Sequence, residues 1–267
     1  MTYTFRGQFS GAITPAFIEP LAGITVRFYK HRGTEYVSSL ATIDPKETMT
    51  VLAQDAIAAK ASALLAETKT DEAGKFVLNL HEQTGYRGEA LDIDLWLTNV
   101  PGRKSQTPSP PVQVALTTMK PRWQQTDDNY NAEWEYCLPA EFWRDIRARF
   151  DAWVICGRVI ALKTQQPVSG IRVHAFDADW IQDDDLGESV TDSEGKFRID
   201  YERADFTRTP LSPLINYESG GPDLYFKLDR RDGSVMLDEA KTQGQAPGRA
   251  NEGHCFFIEF NLAGAAG

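Results

Sequence analysis

The chain of 267 residues is 42% hydrophobic and 25% charged, a composition typical of a globular protein with a core and not of a disordered or fibrous chain. Its formal net charge is −10 and no segment concentrates Lys and Arg, which argues against nucleic acid as a partner. No apolar run approaches the roughly 20 residues that a membrane-spanning helix needs, which argues against membrane insertion.

The first residues, Met1 to Gly11, lack the basic and apolar regions of a secretory signal, so we expect synthesis in the cytoplasm without a signal peptide. A role outside the cell would then require incorporation into an exported or extracellular particle. The three cysteines, Cys137, Cys156 and Cys255, are odd in number and widely spaced. We therefore expect free thiols rather than a disulfide framework or a cysteine metal site.

Residues 1–120 are predicted to form a first β-sandwich. They contain a Pro-x-x-Gly-Ile-x-Val segment at 20–26 and the frame Thr-Asp-x-x-Gly-Lys-Phe at 70–76. The Asp and the Gly of this frame occupy the positions that a type I turn prefers. We therefore interpret the frame as scaffold, a turn that places the aromatic ring of Phe76 in the core, rather than as an active site.

An insert lies between these two segments, and its residues at about 44–67 are predicted to be helical. Asp44 is a suitable N-cap and Pro45 suits the first helical position. One face of the helix would carry Ala53, Ile57, Ala61 and Leu64. We expect this narrow apolar face, and Ile57 and Leu64 in particular, either to cover its own sandwich or to bind a protein partner.

Residues 121–152 are predicted to join two domains, with a helix at about 139–150. Glu141 and Asp145 come early in this helix and Arg147 and Arg149 come late, which suits the helix dipole. Tryptophan is concentrated in and after this region, and we select Trp134, Trp143 and Trp180 as candidates for binding a partner. The other interpretation is that these rings are buried where the domains meet.

Residues 153–267 repeat the plan of the first unit. Pro-x-x-Gly-Ile-x-Val recurs at 167–173 and Thr-Asp-x-x-Gly-Lys-Phe at 191–197, and an Asp-Leu-aromatic segment follows in both units. We also match Gly157, near the start of this unit, with Gly11. Blocks that recur in the same order predict an internal duplication. Short alternating segments between turns predict seven antiparallel strands in each unit.

The stretch 157–201 resembles the transthyretin-like, carboxypeptidase-regulatory-like β-sandwich, in which a strand with Gly is followed by Pro-x-x-Gly-x-x-Val and then by Thr-Asp-x-x-Gly-x-aromatic. Both units match this pattern. Segments 173–180 and 186–201 are also similar to sandwich modules of bacterial insecticidal toxin-complex subunits and of proteins near phage-tail-like injection systems. The resemblance implies an all-β fold of two tandem seven-stranded transthyretin-like sandwiches, and a structural or adhesive role.

Some enzymes have a similar sandwich, and we tested the sequence for their site residues. Intradiol dioxygenases resemble this fold and bind iron with a His-x-His pair, whereas no two of the four histidines here have that spacing. Hydroxyisourate hydrolases end in Tyr-Arg-Gly-Ser, whereas the similar segment Tyr86–Glu89 is internal. We therefore expect a protein that is not an enzyme, with an unrecognised hydrolase as one alternative.

The acidic run at 177–188 predicts either a solvated loop or a calcium site. The candidate metal ligands are Asp177, Asp179, Asp185 and Glu188, which fall at positions 1, 3, 9 and 12 of an EF-hand count. The run departs from that motif at Gln182, where the sharp turn requires Gly.

The leading interpretation is a structural or adaptor protein that binds another protein or self-assembles, within a toxin-delivery or phage-tail-like injection assembly. We expect no cofactor, unless the acidic run binds Ca²⁺. The alternative is a carbohydrate-binding or adhesion module that uses Trp180 and the acidic run, with or without calcium.

Overall fold

The computed structural model of the chain describes residues 1–32, 49–127, 129–178, 183–206, 220–250 and 252–263. Within these ranges the protein is mostly β, with seventeen strands and two α-helices. None of the helices in the described ranges combines the length and the apolar character needed to cross a membrane. The chain divides into two compact units: unit 1 is Met1–Pro101 with Thr107–Trp143, and unit 2 is Gly102–Gln106 with Arg144–Gly267.

Unit 1 contains one short helix, α1 (Gln54–Lys60), and two sheets. Its strands are β1 (Thr2–Thr14), β2 (Phe17–Pro20), β3 (Thr25–Lys30), β4 (Thr50–Val51), β5 (Leu64–Lys69), β6 (Lys75–His81), β7 (Leu91–Leu97), β8 (Val112–Met119), β9 (Gln124–Thr126) and β10 (Asn129–Leu138). The first sheet has the order β2–β1–β10–β9, with β6 also paired to β1, and the second has the order β4–β8–β7–β3–β5. Strand β1 is parallel to β10 and antiparallel to β6.

Unit 2 also has two sheets. Its strands are β11 (Trp153–Ala161), β12 (Arg172–Asp177), β13 (Asp184–Val190), β14 (Lys196–Tyr201), β15 (Leu224–Asp229), β16 (Val235–Asp238) and β17 (Cys255–Leu262). The sheets have the orders β14–β11–β17 and β13–β12–β15–β16. Helix α2 occupies Ala140–Arg149, where the sequence predicts a helix at about 139–150, and the division between the two units falls within it, after Trp143. Short 3-10 helices lie at Ala61–Ala63, Glu82–Thr84, Arg203–Asp205 and Lys241–Gln245.

The same pairing pattern connects seven strands in each unit. Strands β1, β6 and β10 pair as β11, β14 and β17 do, and the row β5–β3–β7–β8 corresponds to the row β13–β12–β15–β16. Unit 1 adds the short strands β2, β4 and β9, so its described residues form ten strands rather than the seven predicted. These additions lie at the ends of the sheet orders, where a few residues can pair without changing the shared pattern.

Alternation along the strands buries one face of each sheet. In β6 every second residue, beginning with Phe76, is buried and the others are exposed. In β14 the buried residues begin with Phe197, which joins a core cluster drawn from both sheets of unit 2. The prediction that Phe76 and Phe197 point into the core is confirmed, since their exposed fractions are 4% and 3%.

The aspartate and the glycine of each repeated frame make the same turn. Asp71 Oδ1 accepts hydrogen bonds from the amides two and four residues later, at 2.9 and 2.8 Å. Asp192 Oδ1 accepts the equivalent bonds at 2.8 and 2.9 Å. Gly74 and Gly195 both have positive φ, 73° and 71°, which the turn requires and which only glycine adopts freely.

The threonine of each frame ties the turn to an earlier segment. Thr191 Oγ1 donates to the carbonyl oxygen of Val168 at 2.8 Å and accepts from the amide of Ile171 at 3.0 Å. Thr70 makes the two equivalent hydrogen bonds in unit 1. Because both hydroxyls are buried and bonded to backbone, the frames are pieces of scaffold.

The structure corrects one match in the duplication. Gly157 corresponds to Gly7 and not, as predicted, to Gly11. Gly7 lies opposite Phe76 in the sheet and Gly157 lies opposite Phe197. In both pairs the aromatic ring fills the space that a side chain on the glycine would need. The local sequence does not show which glycine lies opposite the ring. The pairing of β1 with β6 and of β11 with β14 decides it.

The helix in the insert is shorter than the predicted span of about 44–67. Helix α1 has seven residues, and the chain from Leu64 onward is strand β5. Residues 33–48, which include the predicted N-cap Asp44, lie outside the described residues. Leu64 pairs with Tyr29 at the sheet edge. Backbone pairing there outweighs the helix propensity of a few residues, because helices this short are marginal.

Candidate functional site

Strand β7 carries two aspartates, Asp92 and Asp94, among mainly apolar residues. Ile93 and Leu95 are fully buried in the core, so alternation turns both carboxylates to the opposite face of the second sheet of unit 1. Strand β7 lies inside this sheet, between β8 and β3. Together with the polar residues around them, the aspartates form what we term the polar cluster: Arg27, Tyr29, His31, Lys60, Asp92, Asp94 and Gln113.

A segment of the insert crosses over the polar cluster. Strand β4 pairs at one edge of the sheet and β5 at the other, so residues 52–63, termed the strap, connect the two edges across its face. Lys60, at the end of α1, points its ammonium group at the aspartates. Its Nζ lies 2.8 and 2.9 Å from the two carboxylate oxygens of Asp94, 3.9 Å from Asp92 Oδ2 and 4.7 Å from the ring centroid of Tyr29.

Gln113 connects the strands below the strap. Its Nε2 donates to Asp94 Oδ2 at 2.7 Å and to the hydroxyl oxygen of Tyr29 at 2.9 Å, and its Oε1 accepts from Arg27 Nη1 at 3.1 Å. Arg27 Nε also donates to Glu67 Oε2 at 2.9 Å. The guanidinium of Arg27, on β3, therefore connects this strand to β5 and β8. Both the oxygen and the nitrogen of the Gln113 side-chain amide are hydrogen-bonded.

Burial sets the electrostatics of the cluster. The side chain of Asp94 is 1% exposed, and this burial raises the pKa of its carboxyl above the usual value. The hydrogen bonds from Lys60 and Gln113 lower that pKa in part, but desolvation is the larger effect. Burial likewise raises the pKa of the Tyr29 hydroxyl. The cluster is thus an internal ion pair with its hydrogen-bond partners.

His31 and Asp92 form the part of the cluster that resembles catalytic machinery. His31 Nδ1 lies 2.7 Å from Asp92 Oδ1, an arrangement in which a carboxylate orients an imidazole. The Nε2 atom of His31 is buried and has no hydrogen-bond partner among the described residues. The hydroxyl of Thr118 also joins this network, and it donates to Asp92 Oδ1 at 2.7 Å. The described residues therefore place an orienting pair here without a bonded nucleophile.

The predicted calcium ligands are engaged in different places. Asp177 accepts from the amide of Asp223 at 2.6 Å, Asp185 accepts from the amide of Gly187 at 2.8 Å, and Glu188 Oε2 lies 3.1 Å from His174 Nε2. Asp179 lies outside the described residues. Among the residues that are described, no three His, Cys, Asp or Glu side chains are grouped to hold a metal ion. Calcium binding by this run stays a prediction.

The predicted partner-binding residues differ in exposure. Ile57 is half-buried on α1, and Leu64 is 41% exposed at the start of β5. Trp134 is half-buried and stacks on Tyr136. Trp180 lies outside the described residues.

Trp143 requires a correction, because it is completely buried. Its indole N–H donates to a carboxylate oxygen of Glu19, and the ring occupies the space beside Gly11. Trp143 therefore holds unit 1 together and offers no surface to a partner.

Two surface depressions lie away from the polar cluster. One, of about 660 Å³, is in unit 2 and is lined by turn residues that include Gly170, Ser193 and Arg231. The other, of about 230 Å³, is in unit 1 and crosses β6, β1 and β10 beside Gly7. Neither contains a residue of the polar cluster.

Sequence reasoning missed the polar cluster. The available signal was the pair of aspartates in the segment Leu91–Leu97, whose other residues are mainly apolar. Carboxylates at alternate positions of a buried strand need partners, which we expect to be cations or donors from other elements. The sequence does not show that Lys60 is the main partner of these aspartates, because Lys60 lies in the insert, 34 residues before Asp94.

Comparison with known proteins places the chain in no family. No family model and no curated protein matches it. Among solved structures, it is similar to the shaft pilin SpaA from Lactobacillus rhamnosus GG, with 10% identity, a TM-score of 0.28, and coverage of 98% of this chain and 97% of that chain.

Two enzymes are also similar over part of the chain. A 9R-lipoxygenase from Cyanothece PCC8801 shares 18% identity with a TM-score of 0.28, over 42% of this chain and 16% of that chain. The dioxygenase domain of a dioxygenase carbohydrate-binding protein fusion from Streptomyces sp. SirexAA-E shares 15% identity with a TM-score of 0.26, over 52% and 79%. TM-scores this low do not establish a common fold.

Proposed function

We propose that the chain is a non-enzymatic structural or adaptor protein that acts through protein–protein contacts. The observation that carries this proposal is the closure of the polar cluster. The buried carboxylate of Asp94 has its oxygens bonded to Lys60 and Gln113, and the strap covers it. With the strap closed, these side chains bond strands to one another and to the strap, and the described residues place no nucleophile in a hydrogen bond with the imidazole of His31.

The proposal includes a finer description of the fold, in which each unit is a seven-stranded transthyretin-like sandwich. Two features support it: the shared pairing pattern of seven strands, and the equivalent turns at Thr70 and Thr191. In this description β2, β4, β9 and the strap are additions to the first module. Modules of this kind serve as rigid spacers. The hydrogen bonds between their paired strands keep their shape fixed.

Strand β5 is the proposed contact element. Among the described strands it lies at the end of the second sheet of unit 1, and edge strands are surfaces to which other chains can add. Leu64, at its start, exposes 41% of its surface next to the strap, so an apolar anchor lies beside a sheet edge. The occupant that we propose is a second copy of this chain.

We further propose that this assembly is a bacterial toxin-delivery or phage-tail-like injection particle, which would place the protein in an exported or extracellular structure. This step is supported by the resemblance of segments 173–180 and 186–201 to modules of such proteins. Carbohydrate binding with calcium and hydrolysis gain no support from the residues that the structure describes.

The test of the proposal is the mass of the purified chain in solution, measured by light scattering during size-exclusion chromatography over a wide range of concentrations. We expect the mass to rise with concentration in the wild type. Leu64→Asp should prevent this rise, and the matched control Leu162→Asp should not, since Leu162 is 52% exposed in a turn outside the strands. A chain that is monomeric at every concentration, or equal behaviour of the two variants, would contradict self-association through β5.

A further inference from the structure

The strap has little apolar attachment to the sheet that it crosses. None of the side chains of α1 is buried, and the helix has seven residues and no side-chain N-cap. An isolated helix of that length is unstable in water, so contacts with the sheet must hold it. At the ends of the strap the chain is fixed, because the amide of Leu52 donates to the carbonyl oxygen of Gln113 at 2.8 Å and Ala63 is buried.

Between these ends, the described contacts of the strap with the rest of unit 1 are made mainly by the side chain of Lys60, and Ser62 Oγ also accepts a hydrogen bond from Arg32 Nη2 at 3.0 Å. Lys60 Nζ makes two hydrogen bonds to Asp94 and lies close to Asp92 and Tyr29. The Lys60 side chain is itself 23% exposed, whereas that of Asp94 is 1% exposed. Hydrogen bonds to charged groups contribute more than neutral ones, so Lys60 is the main attachment between the two fixed ends.

Unit 2 provides an internal comparison, because none of its described residues forms such a cover over the corresponding sheet face. Arg27 lies opposite Asp94 and Glu67 in unit 1, as His174 lies opposite Lys227 and Glu188 in unit 2. The side chains of Lys227 and Glu188 are 44% and 51% exposed. A sheet with the same strand order is therefore formed in unit 2 with this face exposed.

From these observations we infer that the strap is a latch, a segment that opens while the sheet beneath it stays folded and that Lys60 holds closed. Opening breaks the bonds between Lys60 and Asp94 and uncovers the face formed by Tyr29, Asp94 and Gln113. The sheet keeps its own pairing, because the strands under the strap are bonded to one another and their opposite face packs in the core.

Hydrogen exchange of the full chain, read by mass spectrometry, tests this inference. We expect Lys60→Met, which keeps most of the side-chain stem and removes the ammonium group, to speed the exchange of amides in Gln54–Lys60 by roughly tenfold to a hundredfold, the factor that corresponds to a charge-assisted hydrogen bond. Amides of β3 and β7 should keep their wild-type rates. Lys75→Met, at an exposed position of β6, is the matched control and should leave the strap unchanged.

Two results would overturn the inference. Unchanged exchange in Gln54–Lys60 of Lys60→Met would mean that other contacts hold the strap. A parallel rise in the strap and in β3 and β7 would mean that the strap is an integral part of the sheet and does not open by itself. A Lys60→Arg variant that restores slow exchange would identify the cation as the attachment.

Discussion

The ring of Phe197 fills the space that a side chain on Gly157 would occupy, and the two residues lie opposite each other on neighbouring strands. Phe76 has the same relationship to Gly7 in unit 1. An aromatic ring packed over a glycine of the neighbouring strand fixes the register in which β1 pairs with β6, or β11 with β14. The ring also fills the core next to the repeated turn. Each unit thus depends on a pair of residues that are distant in sequence.

The first prediction concerns this pair. We expect Gly157→Ala and Gly7→Ala each to lower the free energy of unfolding by about 1–3 kcal/mol, because the added methyl group forces the ring to move in a packed core. Urea unfolding followed by circular dichroism measures the change. Gly253→Ala is the control, since a methyl group there meets no neighbour. Equal midpoints for Gly157→Ala and Gly253→Ala would contradict the prediction.

The second prediction concerns the threonines of the two frames. Thr70→Val and Thr191→Val keep the shape of the side chain and remove a buried hydroxyl that bonds two backbone groups. We expect each to cost about 1–3 kcal/mol of unfolding free energy, because a backbone amide and a carbonyl lose their partner. The same urea titration measures it, with Ser193→Ala, at an exposed turn position, as the control. Losses that differ widely between the two threonines would argue against equivalent turns.

Local chemistry explains which parts of the fold the sequence predicted. The frames were predictable because the Asp and the Gly of a type I turn act on amides within four residues, so the seven residues contain the whole reason for the turn. The burial of Phe76 and Phe197 was predictable because the alternation of apolar and polar residues begins directly after each turn. Helix α2 was predictable from its charges and its starting proline.

Long-range contacts explain what the sequence did not predict. Gly7 and Gly11 are equally suitable locally, and only the pairing with β6 selects Gly7. The polar cluster depends on Lys60 reaching Asp94, which lies 34 residues away. The early end of α1 depends on Leu64 pairing with β3. In each case a contact with another element, distant in sequence, selects one of several structures that the local sequence allows equally.

The third prediction concerns Trp143, whose indole N–H donates to the buried carboxylate of Glu19. Trp143→Phe removes this donor and part of the ring, so we expect a loss of about 2 kcal/mol or more in unfolding free energy. Trp134→Phe is the matched control and should cost less, because Trp134 is only half-buried. Circular dichroism is the suitable probe, since both variants change the fluorescence. A larger loss in Trp134→Phe would contradict the assignment of Trp143 to the interior.

The last prediction concerns the pH dependence of unit 2 through His254. This imidazole stacks on Trp153 with ring centroids 3.8 Å apart, and its Nε2 lies 3.8 Å from Asp151 Oδ1. Burial lowers the pKa of His254 below its usual value of 6.5, although the charge of Asp151 offsets part of this effect. The unfolded chain therefore binds a proton at a higher pH than the folded chain does. Stability should accordingly fall as the pH drops below about 6.5, until the folded imidazole is protonated as well.

His254→Gln removes the titrating group, so its unfolding free energy should depend less on pH in this range, even though the loss of stacking lowers the value at every pH. Urea titrations at a series of pH values between about 7.5 and about 5 measure the two slopes. His81→Gln, at an exposed position of unit 1, should keep the wild-type slope. If His254→Gln and the wild type lose stability in parallel as the pH falls, another group is responsible, and the stacked imidazole is not the origin of the acid sensitivity of unit 2.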